Sequence, residues 1–340
     1  MRFSGLYPIS LALVAAALFG MSTPLAKVLL GGAGPVTLAG LLYLGSGLGL
    51  ALFMAVRRAA TGAREEDAAI TRDDLPWLGA AVLAGGVAAP IVLMASLTVT
   101  PAATASLLLN AEAAATALIA VLLFGEYMGR RTWAALVCIS AGGVLLAFTG
   151  EGMWGIAPGA LGVILACILW GMDNNFTCRI AAKDPLPITL IKGLVAGSVS
   201  LLLAAAVGEG LPPLPLIGGA LLLGFVSYGL SIVLYIISLR QVGAARTGAA
   251  FATAPFLGML FSFIIFREAP GTLFFVSIPL MVIGALLLIR EGHCHLHIHR
   301  DPGTGALTVH AHPHVHDAHH RHAHNEGEEP EEQTQRDEKS

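Results

Sequence analysis

The sequence predicts an all-α integral membrane protein of ten transmembrane helices, arranged as two inverted five-helix repeats and followed by a His-rich tail. Three observations carry this reading. Of 340 residues, 56% are hydrophobic and only 12% charged, where a soluble domain carries about a quarter charged residues. The apolar runs recur near the roughly 20 residues needed to cross a bilayer. All 12 histidines lie between His293 and His324, so the apolar body works without imidazole.

The spans follow in order. The first run, 7–30, has an apolar stretch resembling a secretory signal, but its likeness to the sixth run argues that it is retained. Pro35 opens the second, 35–56. The third covers 76–99, and Pro101 separates it from the fourth, 102–124. The fifth covers 132–149. Pro158, Pro185 and the Pro212-Pro213 pair then punctuate runs at 158–180, 185–207 and 216–239, and the last two cover 243–266 and 271–290. With the amino terminus inside, Arg57, Arg58, Arg130, Arg131, Arg179, Lys183, Arg240 and Arg246 all fall on the cytoplasmic face, whereas Arg267 falls opposite. The positive-inside rule therefore places both termini in the cytoplasm, across the plasma or inner membrane.

Ala102 to Glu126 aligns without a gap to Ala244 to Glu268, and Ser96-Leu97 upstream matches Ser238-Leu239. Phe19-Gly20-Met21 in the first run matches Trp170-Gly171-Met172 in the sixth. Residues 1–150 and 151–290 are thus two repeats, with 291–340 outside them. Five helices is an odd number, so consecutive units enter the membrane from opposite sides, the inverted architecture of many secondary transporters.

An aromatic-Gly pair near the middle of each half's first helix, with Phe-Gly-Glu126 and Phe-Arg-Glu268 closing each fourth helix, resembles the drug/metabolite transporter superfamily, EamA type. The resemblance covers residues 7–290 and implies a permease for a small molecule. Such proteins usually carry a proline in the fourth helix of each half. Pro255 supplies it in the second, whereas Ala113, preceded by Glu112, occupies the aligned place in the first.

Polar residues deep in apolar helices are the candidates for substrate binding or ion coupling. Glu112 falls near the midplane with Asn110 two positions away. An ionisable group there costs about 3 kcal/mol or more and faces a cavity or a partner. Asp173 and Asn174 follow directly on Trp170-Gly171-Met172. Lys192 and Lys27 are the available cations, each nearer one face, where long stems can snorkel. For Asp173 the plainer role is a solvated or Arg179-paired carboxylate. Glu126 and Glu268 read as fold determinants.

In the tail, His293, His295, His297 and His299 alternate with apolar residues, and so do His310, His312, His314 and His316. Period-two spacing on an extended strand puts each set on one face. Asp301-Pro302-Gly303 between them supplies turn chemistry, so the runs are spaced to fold back as a β-hairpin. Imidazole suits Zn, Ni, Co or Cu, and three or four ligands complete a site. The plainer reading is a solvated tail that binds metal without purpose. The acidic stretch after Asn325 reads as disorder.

Two functions compete: a carrier of a small organic metabolite with a metal-sensing tail, and a carrier of a divalent transition metal with the tail as store. The absence of histidine from the body counts against the second. No cofactor is required for the first. Expected partners are the lipid bilayer, the small-molecule substrate and transition metal ions; whether the carrier works alone or as a homodimer stays open. The body holds 15 Lys/Arg against 12 Asp/Glu and the tail 4 against 10, which argues against nucleic-acid binding. No cofactor fingerprint or nucleophile and base pair marks an enzyme. Deleting residues 291–340 should leave membrane insertion intact, checked by fractionation and detergent-extracted size profile; a truncated chain lost from the membrane would contradict the division.

Overall fold

In hydrocarbon every backbone N–H and C=O must be satisfied within the protein, which leaves helices as the solution for chains of this composition. The computed structural model describes residues 6–61, 70–125, 128–148, 157–180, 183–267, 270–289, 293–300 and 307–314. Nine helices there are long and apolar enough to cross a membrane: α1 (Tyr7–Leu29), α2 (Pro35–Ala60), α3 (Arg72–Val99), α4 (Ala102–Phe124), α5 (Arg130–Ala147), α6 (Pro158–Cys178), α7 (Pro185–Ala206), α8 (Leu214–Gly243) and α9 (Arg246–Phe266). A shorter apolar helix, α10 (Thr272–Leu288), completes the set. Gly243, with φ of 80°, makes the turn between α8 and α9 in a conformation that a side chain resists.

The outer surface is apolar. Leu52, Leu122, Leu202 and Leu222 are each more than 60% exposed, a distribution that suits lipid rather than water. Inside, small residues set the helix spacing, since packing and not hydrophobicity drives association in lipid. A Cβ on Gly171 of α6 would lie 2.9 Å from the backbone nitrogen of Thr116 on α4. A Cβ on Gly20 of α1 would run into the carbonyl of Ala254 on α9. The aromatic-Gly pair is therefore a docking device: the first helix of each half lies against the fourth helix of the other.

Several helices are broken where the backbone is needed for something else. The α4 ladder breaks at Leu109–Asn110, where the Asn110 side-chain amide donates to the Leu107 carbonyl at 2.9 Å. α9 breaks at Ala252–Thr253, where the Thr253 hydroxyl donates to the Ala250 carbonyl at 2.6 Å. These breaks fall within one residue of each other when Ala102 is set against Ala244, and α4 makes its break without the proline that α9 has. In the same alignment, π-helical turns at Val82–Ala88 of α3 and Phe225–Leu230 of α8 also correspond.

Two strands, β1 (His293–Arg300) and β2 (Leu307–His314), pair antiparallel beyond α10. Their register sets His293 against His314, His295 against His312 and His297 against His310, and puts His299 opposite Thr308. Only the backbone of these strands is described. His316, Glu126 and Glu268 lie outside the described residues.

Overpacking a well-filled contact costs about 1–3 kcal/mol, so Gly171→Ala should lower the thermal midpoint in detergent by several degrees. Gly218→Ala on α8, where an added Cβ meets nothing, should leave it unchanged or raise it. Equal midpoints for both variants would remove the docking role.

Candidate functional site

The middle of the bundle holds a cavity of about 200 Å³, walled by α1, α2, α4, α6, α7 and α8. Five of the six sequence-derived candidates line it: Glu112, Trp170, Asp173, Asn174 and Lys192. The sixth, Asn110, lines instead a larger cavity of about 680 Å³, with its amide engaged at the α4 break.

Asp173 is 5% exposed and holds Lys192 through both oxygens at 2.6 Å. The Thr177 hydroxyl donates to the same carboxylate at 3.0 Å. The expected alternatives for these residues are thereby corrected. Asp173 is neither solvated nor paired with Arg179, whose guanidinium lies 4.6 Å from the Phe124 ring centre and 5.6 Å from that of Trp77. Lys192 turns inward to a buried carboxylate rather than snorkelling to a face. Lys27 donates to the carbonyls of Leu97 and Thr100, closing the carboxyl end of α3.

Glu112 follows directly on the α4 break. Its partner is the Asn174 amide, which donates to Oε1 at 3.0 Å and to the Thr116 hydroxyl at 3.1 Å. Asn175 donates to the carbonyls of Thr116 and Gly171, clipping α6 to α4 a second time. The Cys167 thiol covers the Leu108 carbonyl at 3.6 Å. Backbone groups freed by a break in lipid need such neighbours.

Four aromatic rings complete the small cavity: Phe19, Tyr43, Trp170 and Tyr228. Tyr43 and Trp170 are held by one acceptor, the Gly85 carbonyl, to which the Tyr43 hydroxyl donates at 2.7 Å and the Trp170 indole at 3.0 Å. Gly85 lies in the π-helical turn of α3, where the displaced ladder leaves a carbonyl to accept from side chains. It must also be glycine, because a Cβ there would collide with the Asp173 carboxylate. Tyr43 stacks on Tyr228 at 5.8 Å, and Phe19 meets Tyr228 edge-on at 5.8 Å. Sequence reasoning reached Trp170 and missed Tyr43, Tyr228 and Gly85. The available signal was a tyrosine inside an otherwise apolar run, whose hydroxyl needs a partner when buried.

Glu112, Asn174 and Phe19 line the small cavity and the larger one alike. The larger cavity runs past Cys178, Tyr235 and Leu288 toward the end of the bundle where α6 and α10 finish. At the other end, the loop carboxylate of Glu209 accepts from the backbone N–H groups of Val36 and Thr37 at 3.3 and 2.8 Å. That joins the approach to α8 to the amino end of α2, where a helix favours an anion. Among the described residues no group of three or more His, Cys, Asp or Glu could hold a metal ion.

The model of the EamA-like transporter family matches the chain twice, over residues 6–149 and 157–290. A protein of Methanothermobacter thermautotrophicus described as an uncharacterized transporter is 30% identical over 286 residues, covering 81% of this chain and 83% of its own. A crystal structure whose description names no function superposes with a TM-score of 0.57 at 21% identity, covering 82% of this chain and 95% of that one. It supports the fold alone.

Removing one partner of a buried ion pair leaves the other charge uncompensated, at about 3–5 kcal/mol. Lys192→Met should therefore destabilise the protein more than the double variant Lys192→Met/Asp173→Leu, measured by thermal unfolding in detergent. A double variant no more stable than Lys192→Met would show that losing Lys192 does not leave the Asp173 charge uncompensated.

Proposed function

The chain belongs to the EamA-like transporter family, and on that premise we propose that it is a secondary transporter of a small organic metabolite, working by alternating access with Glu112 as coupling carboxylate. It is a multi-pass membrane protein, and the charge bias of its loops favours the plasma or inner membrane with both termini in the cytoplasm. Residues 1–150 and 151–290 act as the two inverted repeats, and residues 291–340 as a cytoplasmic tail that binds a transition metal.

The observation that carries the reading is the position of Glu112. It lines both the small central cavity and the larger one leading to one end of the bundle. A carboxylate in that place meets whatever arrives from the open end, and its one partner there is a neutral amide. Glu112 can thus exchange a proton for substrate without first breaking an ion pair. Asp173, already matched by Lys192, serves to hold α6 against α7. The corresponding breaks in α4 and α9 and the corresponding π-helical turns in α3 and α8 give each half similar weak points, as a rocking motion about a central site requires.

For the tail, the hairpin register supports the metal reading. Three histidines of β1 stand opposite three histidines of β2 at alternate positions of the register. The tail then tunes flux, with zinc or nickel as modulator rather than cargo.

Proteoliposomes of the full chain should take up organic solute when a proton gradient is imposed. Glu112→Gln should reduce that gradient-driven uptake to the level of empty liposomes while keeping its thermal midpoint. Zinc and nickel should change the rate without accumulating inside. Unimpaired uptake by Glu112→Gln would remove Glu112 from coupling, and accumulation of the metal itself would replace the metabolite reading with metal transport.

A further inference from the structure

The charge inventory of the central cavity goes further than its membership in a carrier, and it rests on that carrier reading. Among the described residues its walls hold three formally charged groups: Glu112, Asp173 and Lys192. Asp173 and Lys192 neutralise each other at 2.6 Å. One negative charge remains, on Glu112.

The other polar groups are largely committed. The Tyr43 hydroxyl and Trp170 indole donate to Gly85, and the Thr189 hydroxyl donates to the Pro185 carbonyl. The Asn174 amide is shared between Glu112 and Thr116. What the cavity offers an incoming molecule is one uncompensated charge, the Glu112 carboxylate, set among the neutral hydroxyls of Ser46 and Tyr228 and the rings of Phe19, Tyr43, Trp170 and Tyr228. Aromatic faces attract cations, and weakly hydrated organic ammonium groups above all. An anion would find no unmatched positive charge, and a neutral solute would leave the Glu112 charge without a counter-ion.

We propose that the central cavity binds a small organic monocation, a protonated or quaternary amine, with its charge on Glu112 and its alkyl groups against the four rings. The volume of about 200 Å³ restricts it to a compact amine. Because Glu112 holds either one proton or one ammonium, the exchange is one for one and electroneutral. The titratable and charged groups around Glu112 on neighbouring helices are Tyr43 on α2, Cys167, Asp173 and Cys178 on α6, Lys192 on α7, and Tyr228 and Tyr235 on α8. Asp173 is the one other acid among them, and it is already paired.

The test is calorimetric titration of the detergent-purified full chain with choline, and with 3,3-dimethylbutan-1-ol, its neutral carbon isostere. Choline should bind in the presence of sodium chloride, the isostere should bind at least tenfold more weakly, and sodium chloride alone should give no signal. Glu112→Gln should lose at least tenfold in choline affinity, and Phe19→Leu, which leaves every charge in place, about two- to tenfold. Equal binding of choline and its isostere would overturn the proposal, and so would competition by sodium at equal concentration or unchanged affinity in a folded Glu112→Gln. Flux in proteoliposomes separates the two readings. Glu112-dependent uptake of alanine without choline binding would sink the cation site and keep the carrier; choline binding with no flux of choline or alanine would keep the site and sink the carrier.

Discussion

Taking the carboxylate of Asp173 out of water is tolerable only because Lys192 meets both its oxygens and Thr177 supplies a third contact. Much of the central architecture follows from that pair. The carboxylate fills the space that a side chain on Gly85 would take, so the α3 backbone comes close enough for its carbonyl to become a wall of the cavity. That carbonyl orients Tyr43 and Trp170, and Tyr43 in turn stacks on Tyr228. The pair thereby fixes the shape of the site and leaves Glu112 as the one uncompensated charge among its described walls. Buried ion pairs seldom add much net stability, and specificity of arrangement is the better account of this one.

Helix number, span positions and the docking glycines were legible because lipid imposes a long apolar run on each element and close packing imposes small residues. Glu112 was legible for the converse reason, since an acid in such a run is costly and conspicuous. The partner of Asp173 was not. Arg179 is six residues on, just past the end of the same helix, whereas Lys192 comes from α7 across a loop, and sequence distance says nothing of which stem folds inward. The π-helical turns were equally hidden, because Val82–Ala88 and Phe225–Leu230 differ in composition from their flanks only by ordinary glycines and a tyrosine.

Ala113 is instructive in the same way. It stands where α9 has Pro255, yet α4 breaks at Leu109–Asn110 all the same. A proline breaks a helix by removing a donor; an asparagine can do so by bonding its side-chain amide back to a carbonyl of the preceding turn, beside its own backbone N–H. The Asn110 amide on Leu107 is that substitute. Asn110 therefore shapes the site by ending a turn, and Glu112 gains its position at the head of the next one.

The two halves share their breaks and their π-helical turns, but not their charges. The position in α1 that corresponds to Asp173 is the uncharged Ser22, and α9 carries Pro255 beside the position matching Glu112, which is Ala254. Matched weak points in the two halves are what the proposed alternation between two packings would draw on. Charge confined to one side of the cavity then gives the motion something to respond to. A counter-ion on Glu112, whether proton or ammonium, removes the one unpaired charge from a low-dielectric seam between α4 and α6, and an empty carboxylate keeps that seam in contact with the larger cavity and the water it can admit. Closing the seam over a bare anion would be costly, whereas closing it over a neutralised pair would not. In the proposed carrier, that difference is what would couple occupancy to conformation.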